Sequence, residues 1–248
     1  MENPVFLEIY EKMPQGAPGD DNSSGKAFSL LTELPENPEI LDIGCGSGRH
    51  TLLLSRLSSG RITALDLLEQ NLKILGDKLD KNNLRERITL VQGDMAKMPF
   101  RREQFSLVWA EGSIYILGYE KGLKKWKKFV KPDGYLVISE LVWTRYDPPG
   151  ELKTFWKKEY PGMLTNEKAM NIAKKEGYTV IGSLPVSGTG WDNYYTPLEA
   201  RTGQMRKKYS QDRKAMALLD SIDTEIEIYK KYKDYFDYMF YILQKKDR

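Results

Sequence analysis

The sequence has only one cysteine, Cys45, and one histidine, His50, among its 248 residues. A single cysteine excludes an intramolecular disulfide and a zinc site made of several cysteines. A single histidine excludes His-rich metal sites and acid–base pairs of two histidines. We therefore expect no metal site, and we expect a hydrophobic core, drawn from the 40% of residues that are hydrophobic, to hold the fold.

The sequence also lacks long apolar runs and a strong excess of one charge. No stretch approaches the roughly 18 consecutive apolar residues of a membrane span. The N-terminus lacks the basic start and apolar run of a secretory signal. The 38 basic and 35 acidic residues give a formal net charge of +3, too small an excess to predict a nucleic-acid partner. We expect a cytoplasmic monomer or homodimer without a membrane span.

Strand-like apolar runs alternate with amphipathic helical segments from Glu39 onward. This alternation is typical of βαβ units, and it predicts an α/β fold with a doubly wound, mostly parallel sheet. The first 25 residues, and residues 15–25 above all, are rich in glycine, proline and polar residues and predict a loop. Residues 144–164 hold three prolines and no predicted strand, and they predict an insertion with room for a lid. Strands are predicted at 39–43, 61–66, 87–93, 105–110, 134–143, 178–186 and 236–246, and helices at 26–34, 47–57, 68–82, 120–131, 166–176 and most of 197–233.

A glycine cluster, Gly44, Gly46 and Gly48, separates the first strand from a helix. Glycines serve where the backbone turns sharply or lies against a ligand, and the following helix presents free N–H groups to that ligand. The spacing G-x-G-x-G differs from the dinucleotide fingerprint G-x-G-x-x-G. Asp42 would repel a pyrophosphate but attract an ammonium group, and Asp66 can accept hydrogen bonds from a ribose diol. The turn therefore predicts a phosphate-free nucleoside with an ammonium group, such as S-adenosylmethionine.

Four segments, taken in order, resemble a class I S-adenosylmethionine-dependent methyltransferase of the small-molecule, UbiE-like type. They are ILDIGCGSGRHTLLLS (40–55), ITALDLLEQNL (62–72), VQGDMAKMPF (91–100) and FSLVWAEGSIYILG (105–118). The resemblance implies a Rossmann-like, seven-stranded sheet whose last strand is antiparallel. It also implies transfer of the cofactor's methyl group to a small-molecule acceptor, which leaves S-adenosylhomocysteine.

The resemblance places cofactor contacts at the carboxyl ends of the first four strands. It implies that Asp42 lies near the methionine amino group, that Asp66 binds the ribose hydroxyls and that Asp94 meets the adenine amine. The loop at 15–20 resembles the segment that covers the cofactor in similar proteins. The other implied contacts lie in the glycine turn and directly after the neighbouring strands: Gly44, Cys45, Gly46, Leu67, Met95, Ala110 and Glu111.

Catalysis is expected to rest mainly on positioning. The sulfonium methyl group is already electrophilic, so in-line transfer needs the two reactants held collinear, and a base only if the nucleophile must lose a proton. Glu111 and Tyr115 are the catalytic candidates. Glu111 follows an apolar strand, where it is either a base or acceptor-positioning group, or a partner of the backbone. Glu140, inside the fifth strand, faces either the pocket or a basic neighbour.

Aromatic residues in the second half of the chain are candidates for binding the acceptor. Trp143, Trp191 and Tyr195 lie where acceptor pockets form in this fold. Because the stretch 191–195 follows Gly-Thr-Gly, it predicts a loop or an edge. We therefore expect some of these rings to shape an apolar or cationic acceptor site.

We predict a single methyltransferase domain over residues 1–248. It divides into an N-terminal cap loop and helix (1–35), a cofactor-binding core (36–143), a lid insertion (144–165) and a C-terminal part of the sheet with helices (166–248). Three alternatives stay open: a methyltransferase acting on a macromolecule, an NAD-type oxidoreductase, and a non-catalytic S-adenosylmethionine-binding protein. The glycine spacing argues against the oxidoreductase, and no recognition domain or strongly basic face supports a macromolecular acceptor.

Overall fold

A mixed β-sheet runs through the centre of the computed structural model, which describes residues 4–11 and 13–246. Its strands are β1 (Glu39–Ile43), β2 (Arg61–Asp66), β3 (Ile88–Gln92), β4 (Phe105–Ala110), β5 (Val130–Trp143), β6 (Leu164–Thr165), β7 (Tyr178–Pro185) and β8 (Phe236–Lys245). The main path has the order β3-β2-β1-β4-β5-β8-β7. The first five strands pair in parallel, and β8 is antiparallel to both of its neighbours.

This topology confirms the predicted doubly wound sheet with an antiparallel last strand. The described sheet has eight strands rather than the predicted seven, because the two-residue β6 pairs with the end of β5 outside the main path. The strand order reverses between β1 and β4, and ligands of such sheets bind outside the carboxyl ends of the strands at that point.

The helices pack on both faces of the sheet and bury two apolar layers. They are α1 (Pro4–Glu11), α2 (Asp21–Ser29), α3 (Arg49–Leu57), α4 (Glu69–Lys81), α5 (Tyr119–Trp126), α6 (Gly150–Glu159), α7 (Asn166–Lys175), α8 (Gly188–Lys208) and α9 (Arg213–Tyr232). In the lysine-rich segment, Leu123, Trp126 and Phe129 are buried while Lys121 and Lys124 are exposed, as the helical spacing predicts. The helix itself ends at Trp126, earlier than predicted, and β5 begins at Val130.

The predicted loop over the first 25 residues and helix at 26–34 are wrong in their bounds, because α1 lies within that loop and α2 already begins at Asp21. Asp20 caps this helix by accepting hydrogen bonds from the Ser23 N–H (2.8 Å) and hydroxyl (2.7 Å). The polar residues that suggested a loop are therefore the cap and first turn of a helix.

The predicted loop or edge at 191–195 is also wrong, since these residues lie in the first turns of α8. Ser187 caps α8, and its hydroxyl accepts the Gly190 N–H at 3.2 Å. Glycines in a first helical turn resemble a loop in sequence, and here the cap decides between the two.

The predicted insertion after β5 contains α6 and leads into β6. Whether it moves as a lid stays a prediction, as does the division of the chain into four parts. Among residues 4–11 and 13–246, no helix combines the length and apolar character that crossing a bilayer requires.

Candidate active site

The glycine turn between β1 and α3 is built on left-handed backbone. Gly44, Gly46 and Gly48 have φ values of 71°, 54° and 93°, which residues with a Cβ rarely adopt. A Cβ on Gly48 would also lie 2.2 Å from Leu75 Cδ1 of α4. The turn therefore needs glycine both for its dihedral angles and for the close packing of α3 against α4.

Asp66, the last residue of β2, fixes the shape of this turn. Its Oδ2 accepts the Gly46 N–H at 2.8 Å, and its Oδ1 accepts the Leu68 N–H at 2.9 Å. The Gly44 N–H donates to the Leu65 carbonyl at 2.8 Å. The structure thus brings Asp66 against the glycine turn, although they are some twenty residues apart in sequence.

Asp42 is a fully buried carboxyl directly before the turn. Its Oδ2 accepts a hydrogen bond from the Thr51 hydroxyl at 2.6 Å, while its Oδ1 has no partner among the described residues. Burial raises the pKa of Asp42 to about 6, against the opposing effects of His50 and Thr51. A buried acceptor oxygen without a donor is costly, and a ligand ammonium group would supply the missing donor.

Cys45 and Ala110 lie on the inner side of the same region. Cys45 is buried and unpaired, and burial raises the pKa of its thiol. A thiol that stays protonated is a poor nucleophile, so its contribution to the turn comes from its small size. Ala110 ends β4 with no exposed surface.

Glu111 joins three separate elements immediately after β4. Its Oε1 accepts hydrogen bonds from the Ser24 hydroxyl and the Trp109 indole N–H, both at 2.8 Å. Its Oε2 lies 2.7 Å from an Arg49 guanidinium nitrogen and 3.0 Å from His50 Nε2. Burial alone would raise the pKa of Glu111, but His50 and Arg49 lower it to about 2. The carboxylate is therefore held ionised, with both oxygens engaged.

The segment before α2 packs over Glu111 and the glycine-turn helix. A Cβ on Gly19 would lie 2.7 Å from the Arg49 guanidinium, and the Gly19 N–H donates to the Gly190 carbonyl at 3.0 Å. On its other side, a Cβ on Gly112 would lie 2.4 Å from Ala17 Cβ. The loop at 15–20 thus covers this end of the sheet, which is where the resemblance expects a cofactor cover.

The remaining cofactor candidates lie at the carboxyl ends of β2 and β3. Leu67 is 61% exposed. Asp94 is exposed, and its Oδ1 accepts the Ala96 N–H at 2.7 Å. Met95 is half-buried, with its Cε 3.8 Å from a Cβ placed on Gly44. The structure brings these residues and the turn to one edge of the sheet, and their contacts with a cofactor stay predictions.

Tyr115 lies beyond the end of β4, and Trp143 is the last residue of β5. Tyr115, in a 3₁₀ turn over Ile114–Ile116, is 47% exposed, and its ring meets that of Tyr160 edge-on at 6.3 Å. Trp143 lines a pocket of roughly 370 Å³ together with Trp156 and Tyr160 of the insertion. Both candidates thus face space where an acceptor could bind.

Trp191 and Tyr195 lie in a packed aromatic group between α8 and α9. Trp191 is buried and stacks on Tyr229, with ring centroids 4.6 Å apart, and on Tyr195 at 5.7 Å. Its indole N–H donates to Asp237 Oδ1 at 2.8 Å. The hydroxyl of Tyr195 instead donates to Glu225 Oε1 at 3.0 Å. Both rings are therefore engaged in packing, and the polar group of each has a hydrogen-bond partner within the protein.

Sequence reasoning missed Glu225, Tyr160 and Tyr238, and it left the direction of Glu140 open. The structure turns Glu140 towards tyrosines rather than towards a basic neighbour. Glu140 could be found in the sequence because it is an acidic residue inside an apolar strand. The tyrosines carry no such signal, because most aromatic residues belong to cores.

Comparison with known proteins agrees with this geometry. Residues 40–134 match a family model described as a methyltransferase domain. A solved S-adenosylmethionine-dependent methyltransferase from Geobacter sulfurreducens, in complex with S-adenosylhomocysteine, has a TM-score of 0.83. It is 16% identical, and the match covers 99% of both chains. The class I methyltransferase fold predicted from the sequence is confirmed, and residues 40–134 are similar to a methyltransferase domain.

Other proteins that resemble this chain differ from one another in length and in activity. The sterol 4-C-methyltransferase strm-1 of Caenorhabditis elegans is 29% identical over 157 residues, which cover 60% of this chain. The chain spans 47% of the length of that protein. The [4+2]-cyclase SpnF shares the fold, with a TM-score of 0.74 and 17% identity, over 99% of this chain and 92% of its own. A cyclase on this scaffold illustrates that the fold alone does not determine the reaction.

Proposed function

We propose that the chain transfers the methyl group of S-adenosylmethionine to a small-molecule acceptor. The observation that carries this proposal is the unpartnered Oδ1 of Asp42, buried at the carboxyl end of β1 beside the glycine turn. A pyrophosphate at this place would be repelled by the Asp42 carboxylate. An ammonium group would satisfy the unpartnered oxygen.

The residues around the turn fit the rest of such a cofactor. Asp66 already orients the turn through its Oδ2, which keeps a further lone pair for a ribose hydroxyl, while its Oδ1 accepts hydrogen bonds from the Leu68 N–H and from Asn71 Nδ2. The exposed Leu67 offers apolar surface to an adenine ring. When bound, S-adenosylmethionine supplies an electrophilic methyl group. The chain's own residues then need to hold the acceptor in line with that group.

Glu111 is better suited to hold the site together than to accept a proton. Its pKa of about 2 and its four donors leave it little basicity at neutral pH. We propose that it fixes Arg49 and the covering loop over the cofactor. Tyr115, at the outer side of the same edge, is proposed to contact the acceptor.

The proposed acceptor is a small molecule. Outside its sheet and helices the described chain offers only a covering loop and a short insertion, and a macromolecular substrate usually requires a separate recognition surface. The name of the nematode relative gives a sterol acceptor for that protein, and small-molecule transfer is the part of that activity we propose for this chain.

Calorimetric titration with S-adenosylhomocysteine and with NADH tests the proposal. We expect micromolar binding of the sulfur nucleoside and none of NADH. Asp42→Asn should weaken that binding by about 10- to 100-fold, because the ammonium group loses an ionised partner (about 1.4–2.8 kcal/mol). Failure of the folded wild-type protein to bind S-adenosylhomocysteine would overturn the proposal.

Transfer itself is then measured with radiolabelled S-adenosylmethionine and pools of small metabolites. Label appearing in a small product would support a methyltransferase. Cofactor binding without transfer to any pool would favour the non-catalytic alternative.

A further inference from the structure

A group of tyrosines and two glutamates surrounds the space beyond the carboxyl ends of β4 and β5. We call it the tyrosine–glutamate cluster, and it comprises Tyr10, Tyr115, Tyr160, Tyr194, Tyr195, Tyr238, Glu140 and Glu225.

Direct contacts hold the members of this cluster together. The hydroxyl oxygens of Tyr10 and Tyr194 are 3.2 Å apart, and the Tyr195 hydroxyl donates to Glu225. The hydroxyl of Tyr238 lies within electrostatic range of both glutamates and of Tyr115. Residues from α1, the 3₁₀ turn, β5, the end of α6, α8, α9 and β8 therefore lie close to one another.

Glu140 is the least satisfied polar group of the cluster. It is 2% exposed. Its Oε1 accepts the Leu141 N–H at 2.8 Å, whereas its Oε2 has no hydrogen-bond partner in the described part of the chain. Burial raises the pKa of Glu140 to about 7, although the Leu141 N–H and the Tyr160 hydroxyl lower it. Nearby, the buried hydroxyl of Tyr119 is also without a partner among the described residues.

The two glutamates of the cluster have no basic partner among the described residues, although Arg145, Lys153 and Lys157 line a pocket together with Tyr160. Within residues 4–11 and 13–246, no lysine, arginine or histidine contributes to the pKa of Glu140 or Glu225. Burial raises the pKa of Glu225 as well, and the nearby Glu159 raises it further. Two buried carboxyls without a basic partner are costly when ionised. Tyrosine ring faces also attract cations, so the space is suited to a positively charged ligand.

The cluster adjoins the proposed cofactor site. The Gly112 N–H, just after Glu111, donates to the hydroxyl of Ser139 at 2.9 Å, and Ser139 precedes Glu140 in β5. Ser113 donates to the Ile43 carbonyl, at the end of β1, at 3.1 Å. Tyr115 belongs to the same stretch of chain. The ends of β1, β4 and β5 thus lie together, and Tyr115, which follows β4, connects this region to Tyr160 of the cluster.

We infer that the tyrosine–glutamate cluster binds the protonated amine of the acceptor, with Glu140 as its ionic partner. The inference rests on the proposed function and makes the reaction an N-methylation. The ammonium group first passes one proton to the Glu140 carboxylate. The nitrogen lone pair then forms the N–CH₃ bond while the S–CH₃ bond breaks, and its electron pair stays on sulfur. The proton leaves Glu140 for solvent with product release.

The inference is tested on protein saturated with S-adenosylhomocysteine, with phenethylamine, benzylamine and putrescine as probes. Phenethyl alcohol, benzyl alcohol and 1,4-butanediol are the matched neutral probes. We expect calorimetry to detect at least one amine and to find its neutral counterpart about tenfold weaker or undetectable. Glu140→Gln keeps the side-chain shape and removes the charge. It should weaken amine binding by about tenfold (about 1.4 kcal/mol) and leave the S-adenosylhomocysteine affinity unchanged.

Asp237→Asn is the matched control, because Asp237 is also a largely buried acid with a pKa raised to about 6 by burial, but it is bound to Trp191 outside the cluster. It should leave amine binding intact. The inference is overturned if no amine binds better than its neutral counterpart, or if Glu140→Gln binds the amine as tightly as wild type. Loss of S-adenosylhomocysteine binding by the wild-type protein would instead contradict the proposed function, so the two failures are distinct.

Discussion

The glycine turn and the tyrosine–glutamate cluster are two polar sites at the same end of the sheet, built in opposite ways. Asp42, the three glycines and Asp66 lie within 25 residues of sequence, and backbone geometry forms much of their site. The cluster draws side chains from Tyr10 to Tyr238. A site formed by local backbone can be recognised from a pattern in the sequence. A site formed by side chains from distant segments cannot, because each of its residues, taken alone, looks like a residue of the hydrophobic core.

The largest expected effect concerns Glu111, which connects the two sites. Glu111→Gln should lower the free energy of unfolding by about 3–5 kcal/mol, because it removes a buried carboxylate charge that Arg49 and His50 contact and leaves the half-buried Arg49 with only the exposed Asp21 as an ionic partner. Urea denaturation measures this loss. Asp80→Asn removes an exposed ion pair with Arg85 and should change stability little. An equally small loss for Glu111→Gln would mean that Glu111 does not hold the elements together.

The Glu111 carboxylate should also affect how the free energy of unfolding changes at acid pH. Because its pKa is lowered from 4.5 to about 2, its stabilising contribution is complete above pH 4.5 and is lost as the pH falls towards 2. The acid limb of unfolding should therefore be shallower in Glu111→Gln than in the wild type.

A substitution at Trp191 tests whether this residue serves core packing or contacts the acceptor. Trp191→Ala should cost about 3–5 kcal/mol in unfolding free energy, because it empties a buried site stacked between Tyr195 and Tyr229. Trp143→Ala, at a half-buried pocket wall, should cost less. Thermal unfolding compares the two. A stable Trp191→Ala protein with weakened acceptor binding would support the acceptor role predicted from the sequence.

Lowering the pH should weaken cofactor binding through Asp42. Its pKa is raised to about 6, so it becomes neutral as the pH falls through that value and no longer attracts an ammonium group. We expect the affinity for S-adenosylhomocysteine to fall about tenfold between about pH 7.5 and pH 5. Calorimetry across this range measures it, and Asp42→Asn should show a flat profile. An equal pH dependence in that variant would assign the effect to another group.

The smallest expected effect is at the exposed rim of the cofactor site. Leu67→Ala should leave stability unchanged, since the side chain is 61% exposed. It should weaken S-adenosylhomocysteine binding about three- to tenfold, because an apolar contact of about 1 kcal/mol with adenine is lost. Leu57→Ala removes a leucine that is 39% exposed at the end of α3 and should not affect binding. If both variants bind S-adenosylhomocysteine with equal affinity, Leu67 does not contact the cofactor.

Sequence reasoning succeeded where local pattern and tertiary structure agree. The apolar runs gave the strands of the sheet, since fully buried strands such as β4 are uninterrupted in hydrophobicity. The glycines of the turn adopt the left-handed conformations that their spacing suggests. Sequence reasoning failed at α2 and at the start of α8. There the side chains of Asp20 and Ser187 cap helices whose first turns are rich in polar residues or glycine. Local composition there resembles a loop.

The sequence by itself determined the order of the seven main strands, the glycine turn and the carboxyls beside it, because hydrophobic period and glycine conformation act over a few residues. It did not predict α1, α6 or β6. Only the tertiary structure decided that Asp42 keeps an unpartnered oxygen and that Glu111 is saturated by donors from α2, α3 and β4. It alone placed Glu140 among tyrosines from across the chain. The physical reason is that hydrogen bonding and the electrostatics of burial depend on which distant groups come together in the fold. Those contacts cannot be read from the separation of the residues in the sequence.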